Sequence, residues 1–214
     1  MATIAPAVLC ETLEEYQASI ARLESFATRV HIDISDGEFA PSFTVSVNQL
    51  YWPANWEVDL HAMVARPSEY LPALMALNPR TIIFHAEVEE DLTPTLEQLK
   101  TAGIKAGIAL LRPTVPKLVA SYIEQAEHVM IFSGDLGHYG GRASLMQLEK
   151  VRLIRSIHPE VEIGWDGGAS MENIFSLAQG GIDVINAGGA INKADDAKAA
   201  YDGLVAEVNK QGVI

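Results

Sequence analysis

Val30-His31-Ile32-Asp33-Ile34 interleaves apolar residues with two that can ligate a metal. Residues two apart on a strand point to the same side, so His31 and Asp33 share one face and Ile32 and Ile34 the other. The polar pair faces a site; the isoleucines face packing. Outward from this run, strand-like segments alternate with helix-period ones along the whole chain. The strand-like runs are Thr3–Leu9, Arg29–Ile34, Trp56–Met63, Thr81–Phe84, Ile104–Leu110, His128–Phe132, Val161–Gly164 and Val184–Ile185. Helix-period segments follow at Thr12–Phe26, Pro67–Leu77, Leu92–Ala102, Val115–Glu124, Ser144–Ile157, Met171–Ala178 and Ala194–Val208, with only a poor helix at Pro41–Leu50 in the second unit. Strands alternating with helices indicate parallel βαβ units, and eight units match a small (β/α)8 TIM barrel better than an open sheet. A doubly wound dinucleotide fold would need G-x-G-x-x-G after the first strand. Leu9-Cys10-Glu11-Thr12 stands there instead.

The 214 residues, 49% of them hydrophobic, can bury the core of one domain spanning 1–214. The lone Cys10 permits no internal disulfide and fits a reducing, cytoplasmic setting. No basic leader precedes the apolar N-terminus, and no apolar run reaches the roughly 18 residues of a membrane helix. A net charge of -13, from 28 acidic against 15 basic side chains, repels nucleic-acid backbones and anionic membranes. An anionic small molecule remains a fitting partner, because backbone N–H groups at glycine-rich turns hold phosphate whatever the overall charge.

Active sites of such barrels form at the C-terminal ends of the strands. His31 and Asp33 end the second strand, His61 the third and Asp166 the seventh, which puts all four on one rim. Singly, each has an ordinary reading as a turn residue or a satisfied core histidine. Jointly, two imidazoles and two carboxylates suit Zn²⁺, Fe²⁺, Mn²⁺ or Co²⁺. Asp36, in Ser35-Asp36-Gly37, reads as a turn residue. Gly140-Gly141, Gly167-Gly168 and Gly188-Gly189 fall in rim loops, and phosphate sites of these barrels recur after strands seven and eight. Met63, on the face of His61, either shields a reactive intermediate or fills core. His85 and Glu87 end the fourth strand, where His85 either orients neighbours or binds substrate. His138, Tyr139 and Arg142 lie in a loop that reads as a lid or as a solvated connection. A Schiff-base lysine is disfavoured, since among the seven lysines only Lys193 follows a strand end.

These residues resemble the ribulose-phosphate 3-epimerase family over most of the chain. The resemblance rests on Ile4-Ala5-Pro6, on Val30 through Gly37 with Phe39 and Pro41, and on Asp59-Leu60-His61-Ala62-Met63-Val64. It continues through Phe84-His85-Ala86-Glu87, Gly107-Ile108-Ala109-Leu110, Gly140-Gly141, Asp166-Gly167-Gly168 and Ala187-Gly188. It implies a barrel of the ribulose-phosphate-binding type, homo-oligomeric, that inverts C3 of a ketose phosphate with one divalent metal. His31, Asp33, His61 and Asp166 would be the ligands, and Asp33 and Asp166 the acid/base pair. Ribulose 5-phosphate is the default substrate and a hexulose 6-phosphate the next. The chain departs from the family pattern at Ala7, Ser35, Leu111, Phe132, Arg142 and Gly189, and its Ser133–Tyr139 loop is one residue longer. Those departures motivate a competing expectation, a phosphosugar-binding barrel without catalysis. A decarboxylase or lyase of the related barrels ranks last, because Ser35 sits where its Asp-x-Lys-x-x-Asp motif needs lysine.

Overall fold

A computed structural model of the chain describes residues 2–138 and 141–210. Its strands are β1 (Thr3–Val8), β2 (Arg29–Ser35), β3 (Glu57–Met63), β4 (Thr81–His85), β5 (Lys105–Leu110), β6 (His128–Phe132), β7 (Glu162–Asp166) and β8 (Val184–Ala187). They close into a parallel barrel in sequence order, with β8 pairing back on β1 through Thr3 opposite Val184 and Pro6 opposite Ala187. Around it run α1 (Leu13–Leu23), α2 (Pro67–Ala76), α3 (Thr93–Thr101), α4 (Ala120–Gln125), α5 (Glu149–Ile157), α6 (Ile174–Gln179), α7 (Gly189–Asn192) and α8 (Ala197–Val208). The expected (β/α)8 barrel is therefore the observed fold. No helix among the described residues is long and apolar enough to cross a membrane.

Local chemistry explains where the helices begin. Thr12 accepts a hydrogen bond from the Glu15 backbone N–H while the Glu15 carboxylate accepts one from Thr12 N–H, a reciprocal cap for α1. That helix then buries Tyr16, Ile20 and Leu23, one stripe at helical spacing. Asp196 caps α8 through the Ala199 N–H.

Several segments are shorter than their sequence pattern suggests. Pro41–Leu50 holds only a 3₁₀ turn at Val47–Gln49, because its hydroxyls bind backbone locally: Thr44 Oγ1 accepts from Ser35 N–H at 3.0 Å. Val115–Glu124 and Ser144–Ile157 each open as a 3₁₀ turn before the α-helix proper, and neither turn has a side-chain cap. Met171–Ala178 becomes helical only at Ile174, the start of α6, since Asn173 Oδ1 accepts from Ser170 N–H and closes a turn first. The four-residue α7 is too short to display a helical period.

Strand alternation divides the core into two parts. Ile32, Leu60, Ile82, Ile108, Val129, Trp165 and Ile185 pack outward against the helices, all buried. The opposite faces fill the barrel interior, where residues of non-adjacent strands meet. At the N-terminal end Arg29 of β2 crosses to Glu162 of β7 at 2.7 Å and also bonds Asp59 at 2.7 Å. Arg80 joins the same two carboxylates, each at 3.2 Å, and His128 Nδ1 lies 2.8 Å from Glu162. Gly164 makes room for that imidazole, as a Cβ there would stand 2.5 Å from His128 Nε2. Burial opposes ionisation of Glu162, yet His128 and Arg29 hold its carboxyl far below the usual range.

Candidate metal centre

Two layers higher, at the C-terminal end of the barrel, β2, β3 and β7 bring together His31, Asp33, His61 and Asp166. One ligand atom from each lies within 4.8 Å of all the others. The register sets Asp33 beside His61 on adjacent strands, and Asp166, the last residue of β7, reaches them across the interior. His61 Nδ1 lies 2.7 Å from Asp33 Oδ1 and 3.9 Å from Asp166 Oδ2; His31 Nε2 lies 3.3 Å and 3.9 Å from the same atoms. Both imidazoles are wholly buried. Neither ring nitrogen of His31 has a hydrogen-bond partner, which is costly for a buried polar group unless something else uses its lone pair.

The electrostatics point the same way. Burial would raise Asp33, but the His31 and His61 rings beside it hold it well below the usual carboxylate range. Asp166 goes up, first through burial and then through the neighbouring Asp33 charge. His31 is raised, because Asp33 and Asp166 outweigh the burial that would lower it. No lysine or arginine among the described residues forms an ion pair with either aspartate. Two carboxylates, Asp33 buried and Asp166 half-buried, and two imidazole nitrogens form the nitrogen-and-oxygen donor set of a divalent cation, and a 2+ charge would offset both aspartates.

A cavity of about 540 Å³ opens beside the cluster, walled by Asp33, Asp166, Met63, Phe132 and Ala7 and by the β6, β7 and β8 loops. Of the glycines singled out in sequence, Gly141, Gly167, Gly168, Gly188 and Gly189 line it, as does Arg142. Gly140 and Tyr139 lie outside the described residues. Gly167 and Gly168 have φ of 97° and 72°, and a Cβ on either would overlap the backbone of the β6 loop at Gly134 or Ala143. The loops after β6 and β7 therefore pack backbone to backbone along the cavity wall. Gly188, by contrast, has φ of -89° as it enters α7, so the β8 turn needs no left-handed residue.

The remaining sequence candidates divide. Met63 is buried and lines the cavity. Asp36 behaves as the expected turn residue, accepting from the Glu38, Phe39 and Ala65 N–H groups. Ser35 does not face the cavity, since its Oγ donates to Ser42 O at 2.7 Å. Leu111 lines a separate, shallower cleft with Phe132 and Leu136. His85 stands with its Nε2 2.9 Å from His61 Nε2, so it contacts a neighbour and not the cavity. Burial and His61 push its imidazole down to about 4. His138 and Lys193 sit on the cavity wall.

Asn186 escaped the sequence reading. It is buried on β8, donates Nδ2 to Met130 Sδ, leaves Oδ1 without a partner and borders the cavity. Strand alternation, two residues before Gly188, was the signal that could have found it.

A (β/α)8 barrel whose C-terminal rim sets a His₂Asp₂ cluster able to hold a divalent cation beside a glycine-lined cavity defines a class of candidate active site. Comparison with known proteins narrows the class. Residues 3–192 match the model of the Ribulose-phosphate 3 epimerase family, and the chain belongs to that family. Ribulose-phosphate 3-epimerase of Helicobacter pylori strain J99 is 30% identical over 208 residues, covering 94% of this chain and 95% of that protein. The Escherichia coli K12 enzyme of the same name is 29% identical over 218 residues, covering 97% and 96%. The chain is accordingly an isomerase of the epimerase type. Among solved structures, 3-hexulose-6-phosphate synthase from Salmonella typhimurium superposes with a TM-score of 0.73 at 17% identity, covering 96% of this chain and 98% of that one. Phosphoribosyl anthranilate isomerase from Thermococcus kodakaraensis gives 0.67 at 13% identity, covering 99% and 100%. At those identities the likeness establishes the shared barrel alone.

Proposed function

We propose that this chain inverts C3 of a ketose phosphate, interconverting ribulose 5-phosphate and xylulose 5-phosphate, with one divalent cation held by His31, Asp33, His61 and Asp166. The observation that carries this reading is the convergence of those four side chains from three strands beside the cavity. The donor set fits Zn²⁺, Fe²⁺, Mn²⁺ or Co²⁺, and the partnerless nitrogens of His31 favour a ligand over a purely structural role. When bound, such a cation acts as a Lewis acid that stabilises the negative charge of a deprotonated ketose.

The chain's own residues do the rest. Asp33 and Asp166 come from β2 and β7, strands separated around the barrel by β1 and β8. With the planar enediolate between them, one removes the C3 proton and the other returns a proton to the opposite face, which inverts the centre. A single base would mostly restore the starting isomer. The protein environment already separates the two, holding Asp33 low and Asp166 high, the split expected of an acid/base pair. Met63 and Phe132 supply apolar walls that keep water from the carbanion. Gly141, Gly167, Gly168, Gly188 and Gly189, which line the cavity, would bind the phosphate through backbone N–H groups, with Gly140 adjacent to Gly141 in sequence.

The altered walls at Ala7, Phe132, Arg142 and Gly189 favour testing a hexulose 6-phosphate beside the pentulose. Incubation with each sugar phosphate and added metal in D₂O should place deuterium at C3 of the true substrate. Its absence from every sugar would leave a phosphosugar-binding barrel without catalysis. Self-association is also proposed, supported by the exposed Leu118 and Met146, each in a 3₁₀ turn beside α5, and tested by sedimentation. The buried, lone Cys10 is suited to a reducing cytoplasm.

A further inference from the structure

A chain of polar side chains leads away from the metal centre: Asp33, His61 and His85, all buried, and the half-buried Glu87. His61 Nδ1 faces Asp33 at 2.7 Å, His61 Nε2 faces His85 Nε2 at 2.9 Å, and His85 Nδ1 faces Glu87 Oε2 at 3.3 Å. At the far end Glu87 Oε1 accepts the Leu111 backbone N–H at 2.8 Å and also the Thr114 hydroxyl. Glu87 is thus held as an acceptor on both oxygens.

With a cation held in the cluster, so that His61 Nδ1 and the Asp33 carboxylate both act as electron-pair donors, proton bookkeeping along this chain has one self-consistent solution. A carboxylate facing His85 Nδ1 requires the hydrogen on that nitrogen. His85 is wholly buried, with the Phe39 ring 4.7 Å from its centre and Phe132 edge-on at 5.6 Å, so a neutral ring fits its surroundings. Its Nε2 is then an acceptor, and the contact to His61 must be donated by His61 Nε2–H. That leaves His61 Nδ1 bare, with its lone pair directed at the cluster of Asp33, Asp166 and His31.

We propose that Glu87, acting through His85, selects the tautomer of His61 whose Nδ1 can ligate the cation. Both are positioning residues; neither touches the cation or the sugar. The inference rests on the metal centre proposed above and adds the reason that His61 binds through Nδ1.

Glu87→Gln is the decisive variant because the Leu111 N–H dictates how the new amide sits. Its carbonyl must keep facing Leu111 and Thr114, which turns the NH₂ toward His85 Nδ1 and reverses every donor in the chain. His61 would then carry its hydrogen on Nδ1. Co²⁺ affinity, measured on the full chain by competition with a chelator, should fall about 10- to 100-fold in Glu87→Gln, the effect typical of lost outer partners of a metal-bound histidine. In Zn²⁺-loaded wild type, ¹⁵N-histidine NMR should report His85 protonated on Nδ1 and His61 on Nε2; the same spectrum of Glu87→Gln should report His85 protonated on Nε2. Unchanged Co²⁺ affinity in the variant, or a wild-type spectrum with His85 protonated on Nε2, overturns the relay while leaving the metal centre standing. Failure of the wild type to take up Co²⁺ or Zn²⁺ overturns the metal centre and the relay with it.

Discussion

The two ends of the barrel interior are built from similar residues and behave oppositely. At the N-terminal end two carboxylates, Asp59 and Glu162, are met by Arg29 and Arg80, so charge balances within the chain. At the C-terminal end the ion-pair partners of Asp33 and Asp166 among the described residues are the imidazoles of His31 and His61. Guanidinium groups stay charged and close the lower layer into a plug. Imidazoles offer lone pairs, so the upper layer can accept a cation that the lower one has no use for. A charge-balanced plug at one end and a candidate cation site at the other follow from that single difference in the partner chosen for a carboxylate.

The largest effect that would sharpen this contrast comes from the upper layer. Asp33→Asn and Asp166→Asn should each lower the rate of C3 inversion by up to about 10⁴-fold while chemical denaturation shows a stable fold; full turnover by either would dismantle the two-base arrangement. Next comes the lower layer, where Arg29→Met leaves Asp59 and Glu162 short of a buried partner. A loss of about 4 kcal/mol in urea titrations is expected, with Co²⁺ affinity unaltered. A drop in metal affinity as large as that in stability would mean the layers are not independent.

Chelation should then separate the layers thermodynamically. Removing the cation lowers the melting temperature, and restoring it at 100 times its dissociation constant returns about 2.7 kcal/mol. Indifference of the melting temperature to metal would contradict the charge argument for the upper layer. The smallest effect is on pH dependence. Glu162 sits below its ordinary value of 4.5 in the folded protein, so the folded state binds fewer protons there than the unfolded one. Its stabilisation is fully present above about pH 4.5 and is lost as the pH falls toward its depressed folded value. Glu162→Gln should flatten that acid limb; an unchanged limb would assign acid sensitivity to other groups.

Much of this architecture was legible in the chain. Eight apolar runs separated by helix-period segments specify parallel βαβ units because the two periods, 2 and 3.6, are distinct over such lengths. The same alternation placed His31 with Asp33, and His61 with Met63, on single faces. It is faint where segments are short or hydroxyl-rich: Pro41–Leu50, read as only a poor helix, holds a single 3₁₀ turn and ties Thr44 to the end of β2, and α7 spans less than two turns. Asn186 was passed over because the expected eighth strand, Val184–Ile185, stopped one residue short of it, whereas β8 runs to Ala187.

Sequence alone determined which residue types lie on the upper rim, since strand order and the C-terminal rule for barrels are local consequences of pattern. The tertiary structure decided which of them meet. Asp166 stands more than a hundred residues from His61, and only closure of the barrel through the β8 to β1 pairing brings β7 across to β2 and β3. The polarity of the Glu87–His85–His61 chain is likewise set by packing, because a histidine's tautomer depends on what each ring nitrogen faces, and no spacing along the chain encodes that.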